Sequence, residues 1–555
     1  MGLRGEKETI SPAPSGDELD APAGVSSDCA APEPGAPRTF AVEPVSSLAR
    51  ETLWRYSPAA VLLAVLVADS NRLADPDLWG HIRFGQAAIL QGHPTFHDPY
   101  SYSVPGAPWH DYEWLGEVVM AAVYNTAGVV GLKLWKFVCS ALVVFFIAET
   151  EAETGAPPST QLLVLLVAAL ALVLQMQFRP QMFTFVLLGA LLAMLARENY
   201  RRAGVRLWLV VPLMALWANL HGGWVIGIVV LALYAGVATL YDLSSGEGWA
   251  RGVRLAAIAA AGAAATLVNP YGLGLWRAVA WALLAPYKRV AIQEWQPMLF
   301  AMAQQWHEAH SGVFLYLAVI VLVVGLAVAF AMTPRGGDLP LVVVAAVMAV
   351  GAWLSVRNMA LVAVAASGPL ARHLKLIGER RRAGAPAPLT RPINGWLMLA
   401  LCLFLIIEGG LLSNRLAAGQ PYPAGALDFM SRHGLAGNVL SEWGWGDYLI
   451  WHAAPRDKVF VDGRDDTVYP ISITRDYLRF RFDLPGADRV LDAYLHHFVL
   501  ISADATPARR LMQRRTDWKL LYSDKISLLY GRADSQAAHQ PGLPVSGVTS
   551  LGGFP

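Results

Sequence analysis

The sequence predicts an all-α polytopic membrane domain of about eleven transmembrane helices, followed by a small extracytoplasmic α/β domain. Three observations predict it. The chain of 555 residues is 55% hydrophobic and only 15% charged, and its 19 Trp lie outside the usual range of soluble globular domains. Apolar runs close to the length of a bilayer crossing recur from residue 57 to residue 412. Beyond Leu412 the apolar runs shorten to strand-like stretches, "GNVLS", "KVFVDG", "HFVLIS" and "WKLLYSD", with helix-like segments such as "TPARRLMQRR" between them.

Taken in order, residues 1–50 are rich in Pro, Ala, Gly, Ser and acids and lack a basic segment leading into an apolar core. They read as a disordered cytoplasmic tail and not as a signal peptide. A transmembrane domain over 51–412 follows, with spans expected near 57–71, 132–149, 160–177, 181–197, 206–219, 222–241, 253–269, 312–332, 340–356, 358–376 and 394–412. Lys and Arg crowd "RENYRRAGVR", "RGVR" and "RHLKLIGERRRAGAPAPLTR", which places those loops in the cytoplasm. With the N-terminus inside, parity requires one apolar stretch in the first outer loop (72–131) not to cross; "WLGEVVMAAVYNTAG" (114–128), short and carrying Glu117, is expected to lie at the outer interface. The α/β domain is expected over 413–535, outside, with a flexible tail at 536–555. The protein therefore reads as integral to the inner (plasma) membrane of a bacterium, in contact with membrane lipids. A net charge of +1 gives no reason to invoke nucleic acid. The three cysteines, Cys29, Cys139 and Cys402, have neither metal-ligand spacing nor an obvious pairing.

In this topology seven polar clusters share the outer side: "DPDLWGHIR", "WHDYEWLGE", "FRPQ", "NLHGGW", "NPYGLGLW", "IQEWQP" and "VRN". In the first, Pro76 disfavours helix at Asp75 and suits a first helical position, so Asp75 is expected as the N-cap of a helix running to about Leu90. Asp77 and His81, four apart, share one face of it. A cap and a first-turn acid explain Asp75 and Asp77 structurally; chemically, either acid suits a general base for a hydroxyl or amine acceptor, and the two together suit a divalent cation, Mg or Mn. Arg83, Arg179 and Arg357 supply guanidinium forks for phosphate, although an arginine near a bilayer also serves as an anchor. Glu113 and Glu294 each neighbour a tryptophan, Trp114 and Trp295, where an indole can stack on a sugar whose hydroxyls the carboxylate accepts, or simply anchor the interface. His110 and His221 are further polar candidates, with interhelical hydrogen bonding as the plainer role of His221. Asn219 and Asn269 suit backbone caps or sugar contacts. Asp462 and Arg464, at the end of "VFVDGRDD", read as a salt-bridged turn or as groups facing a phosphate or an acidic acceptor.

The order of a first span, an acidic motif in the first outer loop, "EWLGE", "FRPQ", "NLHGG", "NPYG" and "VRN" resembles the GT-C superfamily of membrane glycosyltransferases over most of 57–532. That group includes protein mannosyltransferases, aminoarabinose transferases and oligosaccharyltransferases, and a poorly characterised bacterial subgroup is most similar. The resemblance implies a polyprenyl-phosphate or polyprenyl-diphosphate sugar donor and an acceptor that is a glycan, lipid or protein. It implies Asp75 or Asp77 as base, with Glu113 matching a second polar position approximately. No cofactor is fixed by it, and a divalent cation remains open. "SEWGWGDYLIW" is similar to the oligosaccharyltransferase Trp-Trp-Asp-Tyr-Gly motif but interleaves glycines, Trp443, Gly444, Trp445, Gly446, Asp447, Tyr448, and a turn opening a buried helix explains it as well. A transporter or flippase for a lipid-linked or anionic solute, or a non-catalytic scaffold, are the alternatives; the first calls for ionisable groups in mid-span and interrupted repeats.

Overall fold

The computed structural model describes Leu63, Val67 and residues 73–201, 206–284, 293–308, 313–334, 337–381, 416–534 and 554. The expected tail 1–50, the span at 394–412, the span at 57–71 apart from those two residues, and 536–555 apart from Phe554 lie outside them.

Helices α1 (Leu78–Gln91), α2 (Trp114–Glu153), α3 (Pro158–Leu172), α4 (Gln181–Arg201), α5 (Val210–Leu220), α6 (Trp224–Ser244), α7 (Ala250–Ala265) and α8 (Leu273–Leu284) are followed by α9 (Met298–Glu308), α10 (Val313–Ala331), α11 (Leu339–Leu354) and α12 (Met359–Arg381). Among the described residues, α2, α4, α6 and α12 with its preceding turn are long and apolar enough to cross a membrane, and shorter apolar helices lie between them. The count of about eleven spans rests on the sequence pattern. Exposed apolar side chains recur at helical spacing on α2 (Leu134, Val138, Leu142, Phe145) and on α10 (Leu317, Val321, Val324, Val328), as a lipid-facing surface requires.

The segment 114–128 is a helix as expected, but it runs into the next one. Gly128 (φ 59°, ψ −147°) kinks α2 there, a conformation closed to most side chains. Helix α1 packs against the first part of α2 so closely that a Cβ on Gly85 would overlap the backbone carbonyl of Glu117. The start of α1 departs from expectation: it begins at Leu78, with Asp77 at the N-cap position and no side-chain cap. Asp75 instead folds back as an Asx turn, its Oδ1 accepting the Asp77 N–H at 3.0 Å and its carbonyl accepting that of Leu78 at 3.1 Å.

Polar side chains gather in two layers. One holds Asp75, Asp77, Glu113, Glu117 and Arg179, near the starts of α1, α2 and α4. The other, at the far ends of α2 and α4, ties Arg197 and Arg201 to Glu153, and Arg251 and Arg254 to Glu198. Helix α4 spans the gap with 21 residues, about 30 Å at 1.5 Å per residue and close to a hydrocarbon core.

After the helices, β1 (Leu73–Ala74) pairs in parallel with β2 (Ala417–Ala418). A five-stranded mixed sheet is built from β3 (Asn438–Ser441), β4 (Lys458–Val459), β5 (Phe498–Ser502), β6 (Trp518–Ser523) and β7 (Ser527–Arg532), in the order β4-β3-β5-β7-β6. The four expected strands are present; β7 was not anticipated. Helices α13 (Ala424–Arg432), α14 (Gly446–Ala453), α15 (Ile471–Arg481), α16 (Ala487–Ala493) and α17 (Thr506–Arg514) accompany them. The first loop covers the open edge of β4: Tyr102 N–H donates to the Val459 carbonyl and Val459 N–H to the Tyr100 carbonyl, both at 3.1 Å. That loop and the sheet therefore share backbone hydrogen bonds.

Gly85→Ala should lower stability by about 1–3 kcal/mol through overpacking at the α1–α2 crossing. Thermal unfolding of the purified protein in detergent reads this out, with no change expected if the crossing tolerates a methyl group.

Candidate functional site

A cavity of about 580 Å³ opens between the helical layer and the sheet domain. Its wall draws on short turns and helix starts: Asp77 and His81 of α1, Glu113 and Glu117 at the start of α2, Arg179 before α4, Glu294 with Trp295, and Arg357. The sheet domain adds Trp443, Asp447, Gly463, Arg464, Tyr477 and Arg481.

Arg179 organises one wall. Its Nε lies 2.7 Å from Asp75 Oδ1, and its two terminal nitrogens lie 2.9 Å from Asp77 Oδ2 and 3.3 Å from Glu294 Oε2. Ser355 Oγ donates to the Glu294 carbonyl and Val356 N–H to the Gln296 carbonyl, both at 3.0 Å. These bonds set the turn bearing Glu294 beside the turn bearing Arg357. The Arg357 guanidinium lies 5.6 Å over the Trp295 ring and forms no ion pair with a described residue. A charge-bearing fork with no carboxylate is thus left facing the cavity.

The histidines line the second wall. His81 Nδ1 is 2.9 Å from Glu117 Oε1 and 3.8 Å from Glu113 Oε2, and His221 Nε2 is 3.3 Å from Glu113 Oε1. Gly223 N–H donates to His221 Nδ1 at 2.9 Å, so the imidazole carries its proton on Nε2, toward Glu113. Burial drives the ionisation here. It holds His81 down to about 3, helped by Arg179 and Arg357, and keeps His221 well below its ordinary value. Burial likewise raises Asp77 to about 7 against the pull of Arg179, Glu113 to about 7 against that of Arg357, and Asp111 to about 6. Asp75 is also raised by burial. Burial works in the same direction on Glu294, but Arg179 and Arg357 outweigh it and hold that carboxyl below its usual range.

For a metal, the expectation was Asp75 and Asp77. Both are committed to the permanently charged Arg179, which disfavours a cation between them. A different set fits: donor atoms of His81, Glu113 and Glu117 lie within 4.8 Å of one another, and Glu117 is buried beside Asp111. One nitrogen and two carboxylates suit a divalent transition ion such as Mn better than Mg.

The structure brings together Asp75, Asp77, His81, Glu113, Arg179, His221, Glu294 and Arg357 from the sequence candidates. Others have different work, and of these Arg464 alone is a lining residue of the cavity. Asn219 donates to the Ala215 and Val268 carbonyls and accepts from Trp114 Nε1 at 3.1 Å. Asn269 closes its own turn through Thr266, Tyr271 and Gly272. His110 lies against Tyr271 and Gly274. Arg83 Nε is buried without a partner. Asp462 is fully buried in an ion pair with Arg464, and the Arg464 guanidinium is bound on both sides, to Asp98 and to Asp462. These two residues form a salt-bridged turn, and direct phosphate binding by Arg464 is set aside.

Three carboxyls escaped the sequence reading. Asp111 lies two residues before Glu113 in the same acidic stretch, and that spacing was the available signal. Glu117 was read only as a mark against crossing. Asp447, assigned to a structural turn, is 3% exposed, lines the cavity and has no hydrogen-bond partner for Oδ1 among the described residues. Its pKa is raised well above the ordinary range by burial and by the neighbouring Asp462 and Asp77.

No family model and no curated protein matches the chain. Solved structures do. The archaeal oligosaccharyltransferase AglB from Archaeoglobus fulgidus, in complex with an inhibitory peptide and a dolichol-phosphate, superposes with a TM-score of 0.50 at 12% identity, over 89% of this chain and 75% of that one. The same enzyme tethered to an acceptor peptide gives 0.49 at 13% identity, over 89% and 75%. ArnT from Cupriavidus metallidurans bound to undecaprenyl phosphate gives 0.43 at 11%, over 87% and 98%. AglB and ArnT are GT-C glycosyltransferases. At this identity the likeness shows the fold alone, which is that of AglB; it agrees with the four helices that, among the described residues, are long and apolar enough to cross a membrane.

Manganese should raise the melting temperature of the wild-type protein, whereas His81→Ala and Glu117→Gln should lose most of that shift. Identical shifts in all three, read by differential scanning fluorimetry with Mn²⁺ alone, would move the ion elsewhere.

Proposed function

We propose that the protein transfers a sugar from a polyprenyl-phosphate-linked donor to an acceptor at the outer face of the membrane, with Asp77 as general base. The observation that carries this reading is the pairing, in one cavity, of Arg357, a guanidinium with no ion pair among the described residues, and a carboxyl raised to about 7, Asp77. Likeness to AglB, whose complex holds a dolichol-phosphate, supports the same donor class.

In this reading the donor phosphate binds Arg357, and Trp295, packed under that guanidinium, forms the floor of the donor end. The acceptor oxygen attacks the anomeric carbon as its bond to the phosphate oxygen breaks, with inversion, and the lipid phosphate leaves with the electron pair. The acceptor proton passes to Asp77. Asp77 suits this better than Asp75, because its side chain is 28% exposed against 8% and Asp75 is tied back into its own turn. Glu113, between His81 and His221, is the second carboxylate within the cavity. A divalent cation held by His81, Glu113 and Glu117 would supply positive charge for phosphate oxygens. The basic loops at the far ends of α2 and α4 support an outer position for the cavity by the positive-inside rule.

Asp77→Asn should lower transfer by about 10²–10⁴-fold in membranes supplied with radiolabelled polyprenyl-phosphate sugars. Arg357→Met should weaken donor binding by about 1.5–3 kcal/mol. Equal product from wild type and Asp77→Asn would remove this base. Because the base acts as the carboxylate and burial raises its pKa, transfer should climb with pH through about 7 and level off above it. A rate that falls across that interval would contradict the assignment.

A further inference from the structure

Arg464 is one of the most heavily committed side chains in the protein, and its partners belong to two parts of the chain. Its Nε and one terminal nitrogen donate to the two oxygens of Asp462, at 2.8 and 2.6 Å; the other terminal nitrogen donates to Asp98 Oδ1 of the first loop at 2.6 Å. Tyr469 OH donates to Asp462 Oδ2 at 2.6 Å. The guanidinium carbon lies 4.9 Å from the Trp109 ring, 5.2 Å from Tyr100 and 5.4 Å from Phe84. Phe84 is on α1, the helix that Asp77 opens. A buried ion cluster of this quality is no better for stability than an apolar plug of the same volume. It does fix one register between its elements, because the fork accepts partners in only a few directions.

The residue before the pin is Gly463. Its N–H donates to Asp447 Oδ2 at 3.2 Å, and a Cβ there would overlap that same oxygen and sit 2.7 Å from Asp77 Oδ1. From the other side, a Cβ on Gly80 would lie 2.6 Å from Asp447 Oδ1, the oxygen with no hydrogen-bond partner among the described residues. Two glycines thus admit a carboxylate of the sheet domain beside the first-loop Asp77, and Arg464 determines where one of them sits.

We propose that the Asp98–Arg464–Asp462 cluster is a positioning device: it holds Gly463 as the spacer between Asp77 and Asp447, and so completes the acceptor end of the cavity with a carboxylate from the sheet domain. This rests on the glycosyl-transfer reading given above. Asp447, as a lining residue, then bounds the acceptor's place in the cavity, while Arg357 and Trp295 have no part in the pin.

The test uses the full-length protein in nanodiscs, with a radiolabelled polyprenyl-phosphate mannose donor and a native membrane lipid extract as acceptor. In Arg464→Lys, Asp98→Asn and Gly463→Ala, kcat divided by the apparent acceptor KM should fall by about 10²-fold, the scale of a misplacement near 1 Å, while donor KM stays within about twofold. Arg464→Lys keeps the charge and should not rescue. Equal losses for donor and acceptor that track melting temperature would reduce the cluster to a fold-holding role and overturn the proposal, as would acceptor kinetics in Gly463→Ala matching wild type. Hydrogen exchange separates the two readings. If wild type transfers no sugar the transferase reading fails, and the pin still stands or falls on whether Arg464→Lys speeds exchange in 78–84 and 446–453 together while sparing 356–360.

Discussion

The arrangement of this site depends on one guanidinium surrounded by three carboxylates. Arg179 binds Asp75, Asp77 and Glu294, which come from the start of α1 and from a turn more than a hundred residues downstream of Arg179. Truncating such a centre would leave several buried acids without a counter-charge, a larger penalty than the pairs themselves contribute. Its value is therefore geometric. It brings the first loop, the entry to α4 and the Glu294 turn to one point, and everything that faces the cavity is referred to that point.

The same arithmetic of charge divides the cavity. Arg179 is saturated by its acids, so it cannot also receive a phosphate without surrendering them. Arg357 lies over an indole and has no ion pair among the described residues, which is the support for seating an anion there in the proposed reading. The cavity wall is also acidic, with Asp77, Asp447 and Glu113, and burial keeps the two histidines beside Glu113 neutral.

What the sequence made legible follows from how local the signals are. Strand runs such as "HFVLIS" and the helix in "TPARRLMQRR" emerged where read, because apolar periodicity and Pro at a helix start are local properties. The helix 114–128 was legible for the same reason, whereas its continuation through a kink at Gly128 was not, since a lone glycine between apolar runs looks like a terminus. Clustering of acids near Asp75 pointed to residues that the fold gathers at one cavity. The pairing of Arg179 with those acids was not legible, because it joins residues a hundred positions apart. Asp447 was read as structural since its motif is glycine-spaced; only the fold reveals that two of the nearby glycines, Gly80 and Gly463, exist to admit its carboxylate.

The site groups sit at element ends for a physical reason. Within about 30 Å of apolar helix a charged side chain carries a high desolvation cost, so the chain keeps its reactive groups on the short turns at Glu294, Arg357, Trp443 and Asp465 and at the first turns of α1 and α2. Turns alone would place them loosely. Each is therefore tied to a neighbour by the backbone: the 293–296 turn to Ser355 and Val356, the first loop to β4, and β1 to β2. Asp465 itself takes a positive φ of 44°, a local strain that its surroundings must hold. Rigid helices set the depth of the site, and these ties set its lateral geometry. Together they make a sheet domain far along the chain a wall of a cavity that opens at the first loop.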